Sequence, residues 1–162
     1  MKVKDLMIPL QDYLKPENTL KEAVNLLRIA KKGEEKVGQK GLPVLDKDAK
    51  LVGMLSMTDI LKAVHPSYMS LMNLSNFTWD GMVESLAKSA ADHKVETVMT
   101  KEVITVKEDD PLMECVDLII KNNIKRLPVV DKSGKVIGML YERDIFFAIV
   151  KAMLDENAGG GK

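Results

Sequence analysis

The sequence predicts an α/β protein built from two copies of a β-α-β-β-α unit that are joined by a helical connector. The segment LPVLDKDAKLVGMLSMTDI at 42–60 matches LPVVDKSGKVIGMLYERDI at 127–145 in eleven of nineteen positions. Strand, turn and helix signals follow one another in the same order around both segments. Hydrophobic residues make up 46% and charged residues 30% of the 162 positions, as in a globular protein with a real core.

The similarity continues upstream with a different spacing. Residues 6–24 align with 98–116, so the first copy carries seven extra residues within the polar stretch 31–40. A longer surface loop is the simplest interpretation of that insertion. The predicted organisation is a first repeat at 1–64, a connector at 65–94, a second repeat at 95–154 and a flexible tail at 155–162.

Each copy opens with a short extended segment, Val103–Val106 in the second copy, and then a helix. Thr19 followed by Glu22 is a capping box, and Asp110 precedes Pro111 at the predicted first helical position. The apolar face of the second copy's helix has helical spacing and is expected to pack inward. Its residues are Leu112, Cys115, Val116, Ile119 and Ile120.

Two short apolar strands follow in each copy, at 42–45 and 51–55 in the first. Because a turn of Asp, Lys and Ala or Gly joins them, they are predicted to form a hairpin. A closing helix is predicted to begin at Asp59 in the first copy and at Asp144 in the second. The second closing helix contains Ile145, Phe146, Ile149 and Val150.

The connector between the copies combines a cluster of aromatic residues and methionines with a helical pattern. We interpret it as a helical cover for the repeats, although an exposed cluster would instead indicate a docking or dimer face. The cluster comprises Tyr68, Met69, Met72, Leu74, Phe77 and Trp79, and the helical pattern comprises Met82, Val83, Leu86, Ala87 and Ala90.

Composition argues against several classes of protein. Lys+Arg and Asp+Glu both number 24, whereas nucleic-acid-binding proteins normally carry a basic excess. No apolar run is long enough for a membrane span, and the N-terminus lacks the apolar stretch of a signal peptide. The single Cys115 fits a reducing compartment. We therefore expect a cytoplasmic protein that binds neither membrane nor nucleic acid.

Enzymatic chemistry has few candidate residues here. Cys115 is expected to be a small core residue, and neither His65 nor His93 has the spacing of a catalytic or zinc site. The sequence contains no Walker loop and no G-x-G-x-x-G. The prediction is a protein that is not an enzyme and holds no metal or cofactor.

The end of the second strand in the first copy suggests a ligand site. Ser56 and Thr58 are two apart on a predicted strand, so their hydroxyls would point to one side. The helix that follows has an N-terminus that favours phosphate, and Asp59 can accept two hydrogen bonds from a ribose diol. Alternatively, Thr58 or Asp59 only caps the helix.

An LPVVD strand, a G-M-L strand and an Asp at a helix start, present twice, resemble the CBS domain, named after cystathionine β-synthase. The resemblance covers about 1–64 and 95–154. It implies a regulatory module in which the repeats pack through their sheets and two clefts hold AMP, ADP, ATP or a related adenosyl ligand. It also implies a homodimer formed through helical faces. Phe146, Ile149 and Val150 are candidates for that interface, with burial inside one chain as the alternative.

The resemblance assigns residues of both copies to a first cleft, called cleft A. Backbone groups near Val103 and Ile104 would contact the adenine, while Lys125 and Arg126 would contact phosphate. A solvated surface pair is the alternative for those two cations. The set is Ser56, Thr58, Asp59, Val103, Ile104, Lys125 and Arg126.

The second cleft, cleft B, departs from the family pattern because Tyr141, Glu142 and Arg143 replace the hydroxyl residues. Asp12 would repel a phosphate that Lys40 and Arg143 could attract, or Arg143 pairs with Glu142 or Asp144. The set is Gln11, Asp12, Lys40, Gly41, Tyr141, Arg143 and Asp144.

Two functions remain open at this point. The first is an adenine-nucleotide sensor that regulates an unidentified protein. The second is a ligand-free dimerisation and interaction scaffold. Nucleotide binding distinguishes them.

Overall fold

A computed structural model describes residues 1–30, 38–66 and 80–155. Within these ranges the strands are β1 (Ile8–Pro9), β2 (Gly41–Leu45), β3 (Leu51–Ser56), β4 (Arg126–Val130) and β5 (Val136–Tyr141). The helices are α1 (Leu20–Ile29), α2 (Met57–Val64), α3 (Met82–Ala90), α4 (Val95–Val98), α5 (Leu112–Asn122) and α6 (Glu142–Leu154). None of these helices has both the length and the apolar character needed to cross a bilayer.

The described residues form two compact units. The first-repeat unit consists of the described residues of Gln11–Val103. The second-repeat unit consists of Met1–Leu10 and the described residues of Ile104–Lys162. Each unit contains a helix, an antiparallel hairpin and a second helix, in the predicted order. The predicted α/β fold class is confirmed.

The two hairpins share one register. Leu42 lies opposite Leu55 in the first-repeat unit, and Leu127 lies opposite Leu140 in the second. Both hairpins have an irregularity at the same place, after Val44 and after Val129. The leucines of these pairs are buried, because the strand faces that carry them pack against the helices of their own unit.

The extended segment that opens each repeat pairs at a single position. Leu14 forms a parallel bridge with Val44, and Val106 forms one with Val129. The predicted segment Val103–Val106 is therefore a strand only at its last residue, while Val103 and Ile104 have no assigned pairing.

Each hairpin also pairs with a crossing segment, by which we mean a segment that belongs to the other repeat in the sequence. Strand β1 pairs with β5, so the beginning of the chain completes the hairpin of the second repeat. Thr100, near the beginning of the second repeat, pairs with Met54 of the first hairpin through backbone hydrogen bonds of 2.8 and 2.9 Å.

The glycine of each G-M-L strand lies against the backbone of the crossing segment that pairs with its hairpin. A Cβ at Gly138 would stand 2.7 Å from the backbone oxygen of Ile8, and a Cβ at Gly53 would stand 2.9 Å from that of Thr100. No real side chain tolerates such distances. We conclude that the paired glycines are required by close backbone approach.

Each hairpin turn is organised by an aspartate. One carboxylate oxygen of Asp46 accepts the amides of Asp48 and Lys50, and one of Asp131 accepts those of Ser133 and Lys135. These bonds lower the pKa of Asp131, with the Ser133 hydroxyl as the largest cause. The turn needs one left-handed residue, which is Gly134 at φ 86° in one copy and Ala49 at φ 63° in the other.

This difference between the turns predicts a pair of opposite effects. Ala49→Gly should raise the free energy of unfolding by about 0.5–1 kcal/mol, and Gly134→Ala should lower it by the same amount. The melting temperature should shift accordingly by roughly 1–4 °C, upward in the first variant and downward in the second. The left-handed conformation costs alanine about 1–2 kcal/mol, which exceeds the entropy that glycine loses on folding. Shifts of the same sign in both variants, measured by calorimetry, would contradict this account.

Helix boundaries and one helix face differ from the sequence prediction. Helix α5 begins at Leu112 after Pro111, and the carboxylate of Asp110 accepts the amide of Lys107 in the preceding turn instead of capping the helix. Ile120 was predicted to pack inward but is 73% exposed, because it lies at the edge of the apolar stripe. The Thr19 and Glu22 capping box is confirmed.

The described part of the connector packs on the first-repeat unit. Helix α3 forms where the pattern predicted it, and Ala90 is buried in that unit's core. The amide of Lys21 donates to the oxygen of Ala91, and the amide of Leu20 donates to that of His93. The predicted loop residues 31–37, the cluster from Tyr68 to Trp79 and the tail residues 156–162 lie outside the described residues.

Candidate functional site

Asp59 is the buried charged residue of the described core, only 7% exposed. Strand β3 continues directly into α2, and Ser56 is both the last strand residue and the N-cap of the helix. Asp59 therefore lies in the first helical turn, where the helix dipole favours a negative charge.

The Asp59 carboxylate is held by three donors. Its Oδ2 accepts hydrogen bonds from the Ser56 amide at 2.9 Å and the Ser56 hydroxyl at 3.0 Å. The Ser56 oxygen in turn accepts the Asp59 amide at 3.3 Å, which completes a capping box. The second oxygen, Oδ1, accepts the Thr100 hydroxyl at 2.9 Å.

The expected placement of Ser56 and Thr58 on one strand face is wrong. The chain turns helical at Met57, so Thr58 lies in the first turn of α2 and is exposed. The predicted helix start at Asp59 is likewise two residues late, since the alternating strand pattern ends at Ser56. Helix capping does occur here, as the alternative interpretation held for Asp59, which is the third helical residue of the capping box. The N-cap itself is Ser56 rather than Thr58.

The first-turn amides of α2 are partly used by the protein itself. The Met57 amide donates to the backbone oxygen of Lys40 at 2.9 Å, and the Asp59 amide donates to Ser56. A phosphate at this helix N-terminus would therefore interact with the positive end of the helix dipole but could not accept hydrogen bonds from these two amides.

The other residues assigned to cleft A belong to different parts of the fold. Val103 is in the first-repeat unit, while Ile104, Lys125 and Arg126 are in the second. Ile104 packs against the core of its unit. Exposed Lys125 accepts the Glu142 amide at its backbone oxygen, and Arg126 lies opposite Tyr141 in the hairpin.

In each unit, residues assigned to cleft A lie beside residues assigned to cleft B. Gly41 lies opposite Ser56, next to the exposed Lys40, and Arg126 lies opposite Tyr141. Each closing helix therefore starts beside a basic residue of the neighbouring strand end. Gln11 is exposed and Asp12 half-buried in the first-repeat unit.

The second repeat's helix N-terminus is built differently. Helix α6 begins at Glu142 rather than at the predicted Asp144, and its N-cap Tyr141 makes no side-chain cap. Arg143 lies over the ring of Phe147, with its guanidinium carbon 5.4 Å from the ring centroid. This contact was not among the predicted roles of Arg143. Asp144 is half-buried in the first turn.

The candidate nucleophile is a core residue, as predicted. Cys115 is fully buried, and burial, followed by the nearby Asp110 and Glu114, raises the pKa of its thiol to about 11. A thiol with this pKa is almost wholly protonated at neutral pH. His65 and His93 are exposed. Across residues 1–30, 38–66 and 80–155, no group of three or more His, Cys, Asp or Glu could hold a metal ion.

Thr100 contacts the candidate site at Asp59 but was not among the residues predicted from sequence. It lies 41 residues from Asp59 in the chain. No local pattern identifies it, because only the bridge between Met54 and Thr100 brings the hydroxyl to the carboxylate.

Comparison with known families decides the identity of the repeats. The family model of the CBS domain matches residues 3–66 and 95–151. The chain belongs to the CBS-domain family. The two CBS matches coincide with the two copies of the sequence duplication. The compact units differ from the copies at their edges, because Met1–Leu10 belongs to the second-repeat unit and the residues up to Val103 belong to the first-repeat unit.

One curated relative resembles this CBS pair over nearly its whole length. The uncharacterized protein MJ1426 of Methanocaldococcus jannaschii is 37% identical, over 93% of this chain and 92% of its own. Other curated relatives are longer, and the chain spans only 20% and 42% of two of them.

Two solved structures of CBS pairs contain adenosyl ligands. The structure of CBSX2, a protein of Arabidopsis thaliana, in complex with AMP has a TM-score of 0.67 and 28% identity, over 94% of this chain and 98% of that one. The CBS pair of MJ0100, in complex with 5′-methylthioadenosine and S-adenosyl-L-methionine, has a TM-score of 0.65 and 25% identity, over 92% and 99%.

Proposed function

We propose that this CBS pair is a regulatory module that binds an adenine nucleotide or a related adenosyl ligand through Asp59, without catalysing a reaction. Its membership of a family in which similar CBS pairs are found with AMP or S-adenosyl-L-methionine carries this proposal. A buried, oriented carboxylate is the kind of acceptor that recognises a ribose diol.

Geometry at Asp59 supports a binding role beyond helix capping. A capping box uses one carboxylate oxygen, and here Oδ2 alone accepts both bonds from Ser56. Oδ1 is directed instead to a hydroxyl, that of the exposed Thr100. A ligand hydroxyl has the same chemistry as this partner.

A calorimetric screen of adenosine, AMP, ADP, ATP and S-adenosylmethionine tests the proposal. We expect at least one of them to bind with a dissociation constant below millimolar and to raise the melting temperature. Absence of binding by all five at millimolar concentration would favour the ligand-free scaffold.

Self-association has its own support, in the exposed apolar residues of α6. Phe146 is 56% and Ile149 40% exposed within the single chain, and Phe147, Met153 and Leu154 are exposed as well. Burial inside one chain, the alternative for the three candidates, does not hold for Phe146 and Ile149, whereas Val150 is half-buried. We propose that a second copy covers this helix, since clustered exposed apolar side chains mark interaction surfaces.

We expect sedimentation at micromolar concentration to give twice the 18.0 kDa chain mass. Phe146→Asp with Ile149→Asp should shift the protein to the monomer, because both charges would be desolvated in the interface. Met113→Asp, on the exposed face of α5, is the matched control and should remain dimeric. A wild-type protein that sediments as a single chain would refute the homodimer.

Roles for the remaining cleft A residues with the same ligand, and for the cleft B residues, stay predictions. The remaining cleft A residues are Thr58, Val103, Ile104, Lys125 and Arg126. If Lys125 contacts phosphate, Lys125→Ala should weaken the binding of ATP more than the binding of adenosine. The regulated protein is unidentified, and the cytoplasmic location also stays a prediction.

A further inference from the structure

We infer that the Thr100 hydroxyl competes with the ligand for Asp59, so that Thr100 sets the affinity of the site and connects it to the crossing segment. This inference rests on the proposed function and adds a regulation of that site. Its basis is the number of hydrogen bonds that a carboxylate can accept.

A carboxylate has about four lone-pair positions. Three of those on Asp59 are taken, two on Oδ2 by Ser56 and one on Oδ1 by Thr100. A ribose diol that donates both of its hydroxyls to Asp59 needs two positions. One of the three protein donors must therefore give way.

Thr100 is the donor that is released most easily. The Ser56 amide is fixed by the backbone at the strand end, and the Ser56 hydroxyl is part of the capping box. The Thr100 side chain is exposed, so its hydroxyl can rotate away and find water.

The second repeat shows that the fold does not need this hydroxyl. Ile8 takes the position of Thr100, since Ile8 pairs with Met139 as Thr100 pairs with Met54. A β-branched apolar residue is thus compatible with this backbone arrangement. Thr100→Val removes the hydroxyl and keeps the shape.

The test measures AMP binding by calorimetry for wild type, Thr100→Val and the control Thr100→Ser, which keeps the hydroxyl. We expect Thr100→Val to bind AMP roughly 3- to 10-fold more tightly than wild type. This factor corresponds to one hydrogen bond, because AMP no longer has to displace the Thr100 hydroxyl from Asp59. Thr100→Ser should bind like wild type. Unchanged or weaker binding by Thr100→Val would overturn the inference.

A second probe separates competition from a general change of the site. The gain in Thr100→Val should disappear with 2′,3′-dideoxy-AMP, which has no diol to donate. An equal gain for both nucleotides would show that the hydroxyl does not compete at Asp59. If neither wild type nor Thr100→Val binds AMP or any other of the five compounds of the calorimetric screen, both the proposed function and this inference fail. If wild type binds one of them without the predicted gain in Thr100→Val, only the inference fails.

Discussion

An adenine nucleotide at 100 times its dissociation constant should raise the melting temperature of the wild-type protein by roughly 5–10 °C and that of Asp59→Asn by far less. The wild-type shift follows from a binding contribution of about 2.7 kcal/mol for a protein of this size. In the variant, the single amide oxygen still accepts the Ser56 amide, but the charge and the second acceptor are lost. Each bond from a ligand to a charged acceptor is worth about 1.5–3 kcal/mol.

Asparagine is a sharper test than alanine at this position. Asp59→Ala would leave the donors of Ser56 and Thr100 without their acceptor and should cost about 1–3 kcal/mol in the unliganded fold. Asp59→Asn keeps most of the cap, so a lost nucleotide shift cannot be attributed to unfolding.

The corresponding residue of the second repeat provides the control. Asp144→Asn should leave most of the nucleotide shift in place if Asp59 is the main ribose acceptor. A normal shift in Asp59→Asn together with no shift in Asp144→Asn would show that the assignment to Asp59 is wrong.

Gly138→Ala should destabilise the protein by about 1–3 kcal/mol, the usual effect of overpacking. Its Cβ would stand 2.7 Å from the Ile8 backbone oxygen, which cannot rotate away as a side chain would. Ile8 is held there by pairing with β5 and by the bond from the Leu10 amide to the Ile137 oxygen, 3.1 Å long. The strain is relieved only if β1 leaves the hairpin.

Two measurements identify that release. The melting temperature of Gly138→Ala should fall by roughly 2–12 °C, and trypsin should cut after Lys2 or Lys4 faster than in wild type. Gly134→Ala, in the same hairpin but with open space around the new Cβ, should leave cleavage at these lysines unchanged. Equal cleavage in Gly138→Ala and wild type would contradict the role assigned to the glycine.

Features governed by neighbours along the chain could be predicted from sequence. The hairpins, the Thr19 capping box and helix α3 follow from alternation, capping signals and helical spacing, which act over a few residues. The strand-to-helix junction was misplaced because Ser56 and Thr58 fit a strand pattern and a capping pattern equally well.

Contacts between distant segments could not be predicted in this way. The hydrogen bond from Thr100 to Asp59 depends on a bridge that no local pattern encodes. The same holds for β1, whose partner strand lies far along the chain. The G-M-L glycines belong to the sequence pattern that resembles the CBS domain, but their contact with the backbone of a distant segment is visible only in three dimensions.

The exchange of segments between the repeats constrains how the protein acquires its structure. Strand β1 can pair only after β5, about 130 residues further along the chain, has been synthesised. Closing so long a loop is entropically costly and slow. The first hairpin likewise obtains its third segment, at Thr100, only after the connector has been made. A single repeat excised at the boundaries of the sequence duplication would therefore expose an unpaired strand edge, the feature from which domain swapping and aggregation begin.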